Sequence, residues 1–194
     1  MSTSETEHQQ RLVEIASESP WFMGALATVR RLALPDWCIG AGAIRNLVWD
    51  SLHYKSAPSQ LSDVDVAYFD ATDISPRRDK ELQGELRALD PSVPWEVTNQ
   101  AGVHQWFEEH FGHAVEPLRS LEEAVASWPE FATAVGISLG QDNSLQVIAP
   151  HGLEDLFAIV VRRNPTRVSL ETYRQRVAQK QYLERWPKVK VVPC

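Results

Sequence analysis

The chain has 194 residues, a hydrophobic fraction of 43% and a formal net charge of −7 at pH 7. This composition suits one packed domain and excludes collagen-like, low-complexity and disordered chains. No apolar run is long enough to cross a bilayer, and residues 1–20 lack the pattern of a secretory signal. The only cysteines, Cys38 and Cys194, are typical of a reduced protein, so we expect a cytoplasmic location without a membrane segment.

Charge is distributed unevenly along the chain. Residues 1–160 hold 10 Lys/Arg against 24 Asp/Glu, whereas residues 161–194 hold 9 Lys/Arg against 2 Asp/Glu. The basic end suits contact with phosphate or nucleic acid, or docking on the acidic body of the same protein. Charge alone does not distinguish these two roles.

The first half of the chain alternates between helical and extended patterns. Apolar residues recur at helical spacing in four stretches, and three short runs have the β-branched and aromatic character of buried strands. Pro20 and Pro76 stand where proline favours the first turn of a helix. Helices are predicted at 5–18, 20–32, 43–52 and 75–89, and strands at 37–41, 63–69 and 94–99.

The second half is less regular. Short helices and loops are expected over 101–130, and two extended runs, 131–139 and 144–150, flank a hairpin-like turn. Residues 168–186 have clear helical spacing. The order of elements predicts an α+β fold, with a small mixed sheet and flanking helices, in one domain of residues 1–194. Its predicted parts are N-terminal helices (1–34), an α/β core (37–165) and a basic C-terminal helix (168–187).

Asp63 and Asp65 stand two residues apart on a predicted strand. Side chains alternate along a strand, so both carboxylates leave the same face. Neighbouring carboxylates repel each other, and a divalent cation such as Mg²⁺ relieves that repulsion through hard oxygen ligands. The alternative is a solvated pair of aspartates at a strand end. Ser62, beside them, is more typical of a hydrogen-bond partner than of a nucleophile.

A turn of small residues, Gly40-Ala41-Gly42, joins a predicted strand to a helix. Small residues let the backbone approach a phosphate, and the helix directs its free N–H groups and positive dipole end to the same place. Arg45, in the first helical turn, is positioned to add a charge-assisted contact. The alternative is a tight turn that needs glycine only for its backbone geometry.

Glu96 is an acid on an otherwise apolar predicted strand, between Trp95 and Val97. A carboxylate in that setting is expected to have a partner. If its strand neighbours that of Asp63 and Asp65, the three carboxylates form a set suited to two-metal phosphoryl or nucleotidyl transfer. A partly exposed glutamate at a sheet edge is the other interpretation.

Together these segments resemble the polymerase β-like nucleotidyltransferase superfamily, and in particular the head domain of CCA-adding enzymes. "AGAIRN" (41–46), "WEVTNQ" (95–100), "EFATAVGI" (130–137) and "HGLEDLFAIVVRRNP" (151–165) carry this resemblance. The chain is most similar to a family of uncharacterised bacterial nucleotidyltransferase-like proteins, through "GAIRNLVWD", "SDVDVAYFD", "WEVTNQAGVH" and "GLEDLF".

The resemblance implies transfer of a nucleoside monophosphate from a nucleoside triphosphate to an acceptor that the sequence does not identify. The implied cofactor is Mg²⁺ or Mn²⁺, held by Asp63, Asp65 and Glu96 as metal-binding and catalytic residues. Nucleotide binding would involve Gly40, Ala41, Gly42, Arg45 and Ser62. The alternatives are a catalytically weak nucleotide-binding or partner-binding module on the same fold, and an acid cluster unrelated to nucleotides. Nothing in the sequence indicates RNA.

The sequence also departs from the CCA-adding pattern. Asn46 stands where those enzymes have aspartate, and their paired arginines are absent from the segment around Glu130. The body and tail domains that hold tRNA are absent as well. We therefore do not expect CCA addition by this chain alone.

The basic C-terminal helix adds a further prediction. Tyr173, Arg176 and Lys180 are spaced by three and four residues and share one helical face. An aromatic ring with two cations suits a base and its phosphates, so we expect Arg176 and Lys180 to bind nucleotide at one side of the cleft. The alternative is that this face forms salt bridges with the acidic body.

Overall fold

The computed structural model describes residues 3–193, so Cys194 lies outside the described part. No helix within residues 3–193 is long and apolar enough to span a membrane. The helices are α1 Thr3–Ser17, α2 Pro20–Arg30, α3 Gly42–Leu52, α4 Pro76–Leu89, α5 His104–Phe111, α6 Leu121–Ala126, α7 Glu154–Phe157, α8 Leu170–Lys180 and α9 Tyr182–Arg185. The strands are β1 Trp37–Gly40, β2 Val64–Tyr68, β3 Trp95–Asn99, β4 Gly136–Leu139, β5 Leu145–Ile148, β6 Val160–Val161 and β7 Lys190–Val191.

A mixed five-stranded sheet organises the molecule, in the order β3-β2-β1-β4-β5. Only β2 and β3 run parallel in this sheet, and α4 supplies the crossover that a parallel pair requires. The other neighbours are antiparallel, including the predicted hairpin of β4 and β5. The predicted fold class, α+β with a small mixed sheet and flanking helices, is confirmed.

The two faces of the sheet have different surroundings. Along β2, Val64, Val66 and Tyr68 point into the main core, where they meet side chains of α1 to α4. The alternate residues, Asp65 and Ala67, leave the opposite face, as the strand period requires. A smaller apolar cluster covers part of that second face, formed by Cys38, Ala67, Leu121 and Val125. Asp65 therefore lies on the thinly covered side of the sheet.

The outer edge of β3 is closed by side chains of α4. The backbone N–H of Val97 donates to the Gln83 amide oxygen at 3.0 Å, and that of Asn99 donates to the Asp79 carboxylate at 3.0 Å. Unpaired strand edges invite pairing with other chains, and these two contacts occupy the edge instead. They also hold β3 in place beside β2, which matters for the carboxylates described below.

The C-terminal segment differs from its prediction as one helix over 168–187. Helix α8 ends at Lys180, and Gln181 adopts the left-handed conformation (φ 47°, ψ 48°) before α9 begins. The change of direction lets Tyr182 and Trp186 enter the core, where both rings pack edge-on against Trp49. A uniform helix would not turn both aromatic rings towards Trp49.

Candidate active site

Two carboxylates stand side by side on the sheet, and a third precedes one of them in the chain. Asp65 of β2 and Glu96 of β3 are register partners in the parallel pair, so their side chains stand next to each other on the same face. Asp63 precedes the first residue of β2 and is close enough to Asp65 to affect its ionisation. This geometry follows from the alternation of both strands and from their parallel register.

The electrostatics of Asp65 reflect this crowding. The pKa of its carboxyl group is raised from 3.8 to about 7, first by burial and then by the charges of Asp63 and Glu96, while Lys180 and Arg176 act to lower it. Among the described residues, the Asp65 carboxylate has neither a hydrogen bond nor an ion pair. A half-buried carboxylate with two like-charged neighbours and no direct partner is typical of a functional site.

The three carboxylates are the kind of ligand that a divalent cation prefers, but their side chains are not arranged around a common metal position. Within residues 3–193, no three His, Cys, Asp or Glu side chains are arranged so that they would hold a metal ion. One reason is that the Ser62 hydroxyl donates to Asp63 at 2.8 Å. Three hard oxygen donors whose mutual repulsion raises a pKa are nevertheless a donor set that Mg²⁺ prefers.

The small-residue turn lies directly beside Asp65. Ala41 has φ 51° and ψ −119°, a conformation that normally belongs to glycine at the first central position of a type II′ turn. Gly40 is required by packing, because a Cβ there would overlap the ring of Trp128. At Gly42 an added Cβ would meet only Arg45, at 3.5 Å, so the N-terminus of α3 is open. Its first N–H groups have no partner within the helix.

Arg45 occupies a different place from the one that its spacing suggested. Its guanidinium is 4% exposed and lies between 5.3 and 5.7 Å from the ring centroids of Trp49, Tyr182 and Trp186. It donates to the side-chain oxygen of Asn46 at 2.8 Å. Burial lowers the pKa of Arg45 from its ordinary value. The structure therefore does not bring Arg45 to the surface of the cleft.

The C-terminal helix contributes one paired cation and one unpaired cation. Arg176 binds Glu130 through two contacts of 2.9 and 3.3 Å, and the Glu130 side chain is 1% exposed. Burial acts to raise the pKa of Glu130, but Arg176 and Thr133 outweigh it and the net shift is downward. Lys180 has no ion pair among the described residues. Arg176 therefore forms the salt bridge to the acidic body that one alternative predicted. Lys180 is a cation without an ion pair near the carboxylates, as the other alternative requires.

The expectation that Tyr173 presents its ring to the cleft is wrong. Tyr173 is 2% exposed, and its hydroxyl lies 3.0 Å from the carbonyl oxygens of Val161 and Val192. An aromatic residue with helical spacing cannot be assigned to a cleft or to the core from the helix alone. Here the pairing of β6 and β7 provides the carbonyl partners that draw the phenol inward.

A cavity of about 200 Å³ opens over the carboxylates. It includes Arg176 and several residues that the sequence analysis missed. Thr98 and Gln100 continue the alternation that begins at Glu96, so that periodicity was an available signal, whereas nothing local indicates Trp128. The lining residues are Ala41, Asp65, Val66, Ala67, Glu96, Thr98, Gln100, Trp128, Pro129 and Arg176.

A larger cavity, of about 590 Å³, lies elsewhere and contains none of the three carboxylates. It is lined partly by Glu5, Asp36 and Glu122, and partly by residues of β5. Size alone would favour it, but it lacks the carboxylates of Asp65 and Glu96, which stand side by side on neighbouring strands. We therefore assign the candidate active site to the cavity that contains Asp65 and Glu96.

Comparison with known proteins gives a consistent result. A family model described as nucleotidyltransferase matches residues 27–191. A structure described as "The NMR structure of the protein reveals a CCA-adding enzyme head domain" is 32% identical, with a TM-score of 0.81, and the match covers 95% of this chain and 96% of that chain. No curated protein matches the chain.

More distant structures share the fold alone. A CCA-adding enzyme in complex with CTP is 12% identical with a TM-score of 0.53, and a tRNA-processing enzyme in an apo form is 17% identical with a TM-score of 0.51. The matches cover 95% and 88% of this chain but only 43% and 42% of those chains. This chain thus spans less than half of the length of either enzyme.

Proposed function

The chain belongs to this nucleotidyltransferase family, and from that premise we propose that it is a metal-dependent enzyme that transfers a nucleoside monophosphate from a nucleoside triphosphate to an acceptor. The observation that carries the proposal is the set of three carboxylates, in which Asp65 and Glu96 stand side by side with Asp63 next to them. The Asp65 carboxyl group also has a raised pKa and, among the described residues, makes no hydrogen bond or ion pair. Both features are typical of a functional site.

In this proposal Asp63, Asp65 and Glu96 hold Mg²⁺ or Mn²⁺. The bound cation would supply charge compensation at the α-phosphate and the leaving pyrophosphate. Glu96 is the most exposed of the three and accepts the proton of the acceptor hydroxyl. The acceptor oxygen forms a bond to the α-phosphorus, the bond from that phosphorus to the bridging oxygen breaks, and pyrophosphate leaves with the electron pair.

The phosphates are assigned to the side of the cavity that carries positive potential. The open N-terminus of α3, which begins at Gly42, offers backbone N–H groups to a phosphate oxygen. The Ala41 N–H already donates to the Val135 carbonyl at 3.2 Å, so Ala41 contributes through the shape of the turn. Lys180 and Arg176 add cationic side chains whose effect already reaches Asp65. The Ser62 hydroxyl, which donates to Asp63, would be available to a phosphate oxygen if Asp63 held the cation. Arg45 and Gly40 support this turn from behind, through packing.

Calorimetry of triphosphate binding tests the proposal. CTP and ATP are the first nucleotides to titrate, since a CCA-adding enzyme of the same fold was solved with CTP. Asp63→Asn with Asp65→Asn is expected to abolish Mg²⁺-dependent binding while the protein stays folded. The matched control is Asp70→Asn with Asp73→Asn, which removes the same charge beyond the other end of β2. Equal affinity of wild type and the Asp63/Asp65 variant would contradict the assignment.

A catalytically weak nucleotide-binding or partner-binding module is the second candidate function. The observation that favours it is that the described carboxylates are not arranged around a common metal position. Incubation with triphosphate labelled at the α-phosphate, Mg²⁺ or Mn²⁺ and pools of acceptors separates the two. Labelled product that disappears in the Asp63/Asp65 variant supports the enzyme, and metal-dependent binding without any turnover supports the module.

A further inference from the structure

A row of polar side chains leads away from the carboxylates along β3. Thr98 follows Glu96 by two residues on the same face, about 7 Å further along the strand, and Gln100 continues the row into the turn that follows. All three line the 200 Å³ cavity, and Trp128 lines it as well. The cavity thus has a charged end at Asp65 and Glu96 and an uncharged end at Thr98 and Gln100, and the Trp128 ring that also lines it packs over Gly40.

The polar groups at the uncharged end lack good partners within the protein. Gln100 is 9% exposed, yet its only hydrogen bond is a 3.5 Å contact from its amide nitrogen to the Thr98 carbonyl, at the limit of what counts as a bond. Among the described residues, the Thr98 hydroxyl and the Trp128 indole N–H make no hydrogen bond. Thr98 and Trp128 are only partly buried, whereas Gln100 is buried. Because buried polar groups are normally paired, the Gln100 amide in particular indicates a ligand that pairs with it.

The character of this end limits the class of ligand. Arg176 is the only cation that lines the cavity, and Glu130 already holds it in a salt bridge. A nucleic-acid backbone requires several cations, and the residues that line this cavity do not supply them. An amide and a hydroxyl suit ligand hydroxyl groups, whereas an indole offers a flat apolar face with one N–H at its edge.

We propose that Thr98, Gln100 and Trp128 form the acceptor subsite and that the acceptor is a single ring bearing several hydroxyl groups, such as a monosaccharide or an amino sugar. The inference rests on the proposed function. One ring hydroxyl points towards Asp65 and Glu96 and becomes the nucleophile for the α-phosphorus. Its proton passes to Glu96, and pyrophosphate is released. The remaining hydroxyl groups bind Thr98 and Gln100 while the ring lies against Trp128.

Ligand-observed saturation-transfer NMR with glucose and glucosamine tests the subsite, both without nucleotide and with Mg²⁺ and a non-hydrolysable triphosphate. Gln100→Leu keeps the size of the side chain and removes its hydrogen-bonding groups, so monosaccharide affinity is expected to fall about tenfold. Thr98→Val removes the hydroxyl in the same way. The matched control is Gln146→Leu, an exposed glutamine of β5 outside the cavity, which is expected to leave monosaccharide affinity unchanged.

The outcomes separate this inference from the proposed function. Saturation transfer in wild type that falls in Gln100→Leu and Thr98→Val, with triphosphate affinity unchanged, supports the subsite. No transfer to either monosaccharide in wild type, equal affinity in all variants, or preferential labelling of a short single-stranded RNA with a free 3′-hydroxyl would overturn it. Failure of wild type to bind triphosphate would instead contradict the proposed function. The monosaccharide-binding result would still show whether Thr98 and Gln100 form the subsite.

Discussion

Ala41 has a backbone conformation that favours glycine, with φ 51° and ψ −119°. A side chain in such a region costs about 1–3 kcal/mol, and the carbonyl of Ala41 is fixed because it accepts the first hydrogen bond of α3. We expect Ala41→Gly to stabilise the protein by about 1 kcal/mol after the greater flexibility of unfolded glycine is offset. Thermal denaturation measures the effect, at roughly 2–4 °C per kcal/mol for a domain of this size.

Ala43→Gly is the matched control for that prediction. Ala43 is buried two residues further on, inside α3, where glycine lowers stability by about 1 kcal/mol. The two substitutions are therefore expected to shift the melting temperature in opposite directions. A fall in melting temperature for both would mean that the turn tolerates the alanine without strain.

Asp65 links the stability of the metal-free protein to pH. Its pKa is raised from 3.8 to about 7, so the folded protein binds a proton that the unfolded chain releases between these pH values. The free energy of unfolding therefore falls as pH rises through this window, by at most about 4 kcal/mol from this group. We expect Asp65→Asn to be more stable than wild type at about pH 8 and to differ little at about pH 4.

Melting curves of both proteins across that pH range, with chelator present, provide the measurement. The difference between the two removes the contribution of every ionisable group that wild type and variant share. Addition of Mg²⁺ is expected to stabilise wild type at about pH 8 and not the variant. Parallel curves at all pH values would show that the Asp65 carboxylate is ionised throughout.

At the scale of elements, most of the features that the sequence predicts follow from the alternation of side chains along the strands. The alternation of β2 and β3 predicts which side chains share a face. The parallel pairing of these strands, which the α4 crossover allows, brings Asp65 beside Glu96. The features that the sequence does not predict depend on packing between residues that are distant in the chain. The burial of Arg45 depends on aromatic rings from α9 and its flank, and the need for glycine at position 40 depends on Trp128. Neither partner is close in sequence, so no local pattern predicts these contacts.

Helix α8 combines a structural cation with a free one, and substitution separates their roles. Arg176→Gln leaves the Glu130 carboxylate buried without its partner, which costs about 3–5 kcal/mol and lowers the melting temperature. Lys180→Gln removes no ion pair among the described residues and is expected to change stability by less than about 0.5 kcal/mol. Its effect should be on triphosphate affinity, which we expect to fall and to become less sensitive to salt.

Glu130→Gln combined with Arg176→Gln completes the comparison. A neutral pair removes the buried charge, so the double variant is expected to recover part of the stability that Arg176→Gln loses. Calorimetric titration of triphosphate alongside the melting curves gives both readouts for each variant. A large drop in melting temperature for Lys180→Gln, with unchanged affinity, would show that Lys180 is structural as well.

At the scale of the whole molecule, one core joins the N-terminal and C-terminal parts of the described chain. One apolar cluster includes Leu12 of α1, Ile137 of β4, Tyr173 of α8 and Trp186, although the family match begins only at residue 27. The C-terminal segment is tied to α3 as well, because the Trp186 indole donates to Asp50 at 2.7 Å. The basic C-terminal helix is thus packed into the same core as the sheet.

This continuity predicts that the protein unfolds as one cooperative unit, in keeping with a single domain of residues 1–194. We expect one calorimetric transition whose van't Hoff and calorimetric enthalpies agree. Leu12→Ala and Trp186→Ala act at opposite ends of the chain, and each removes a fully buried side chain, at a cost of about 2–5 and 3–5 kcal/mol respectively. Because both residues belong to the same core, each substitution should lower the temperature of the same single transition. Two transitions, with each variant shifting only one of them, would mean that the N-terminal helices and the C-terminal segment unfold independently, and the single-domain assignment would then be wrong.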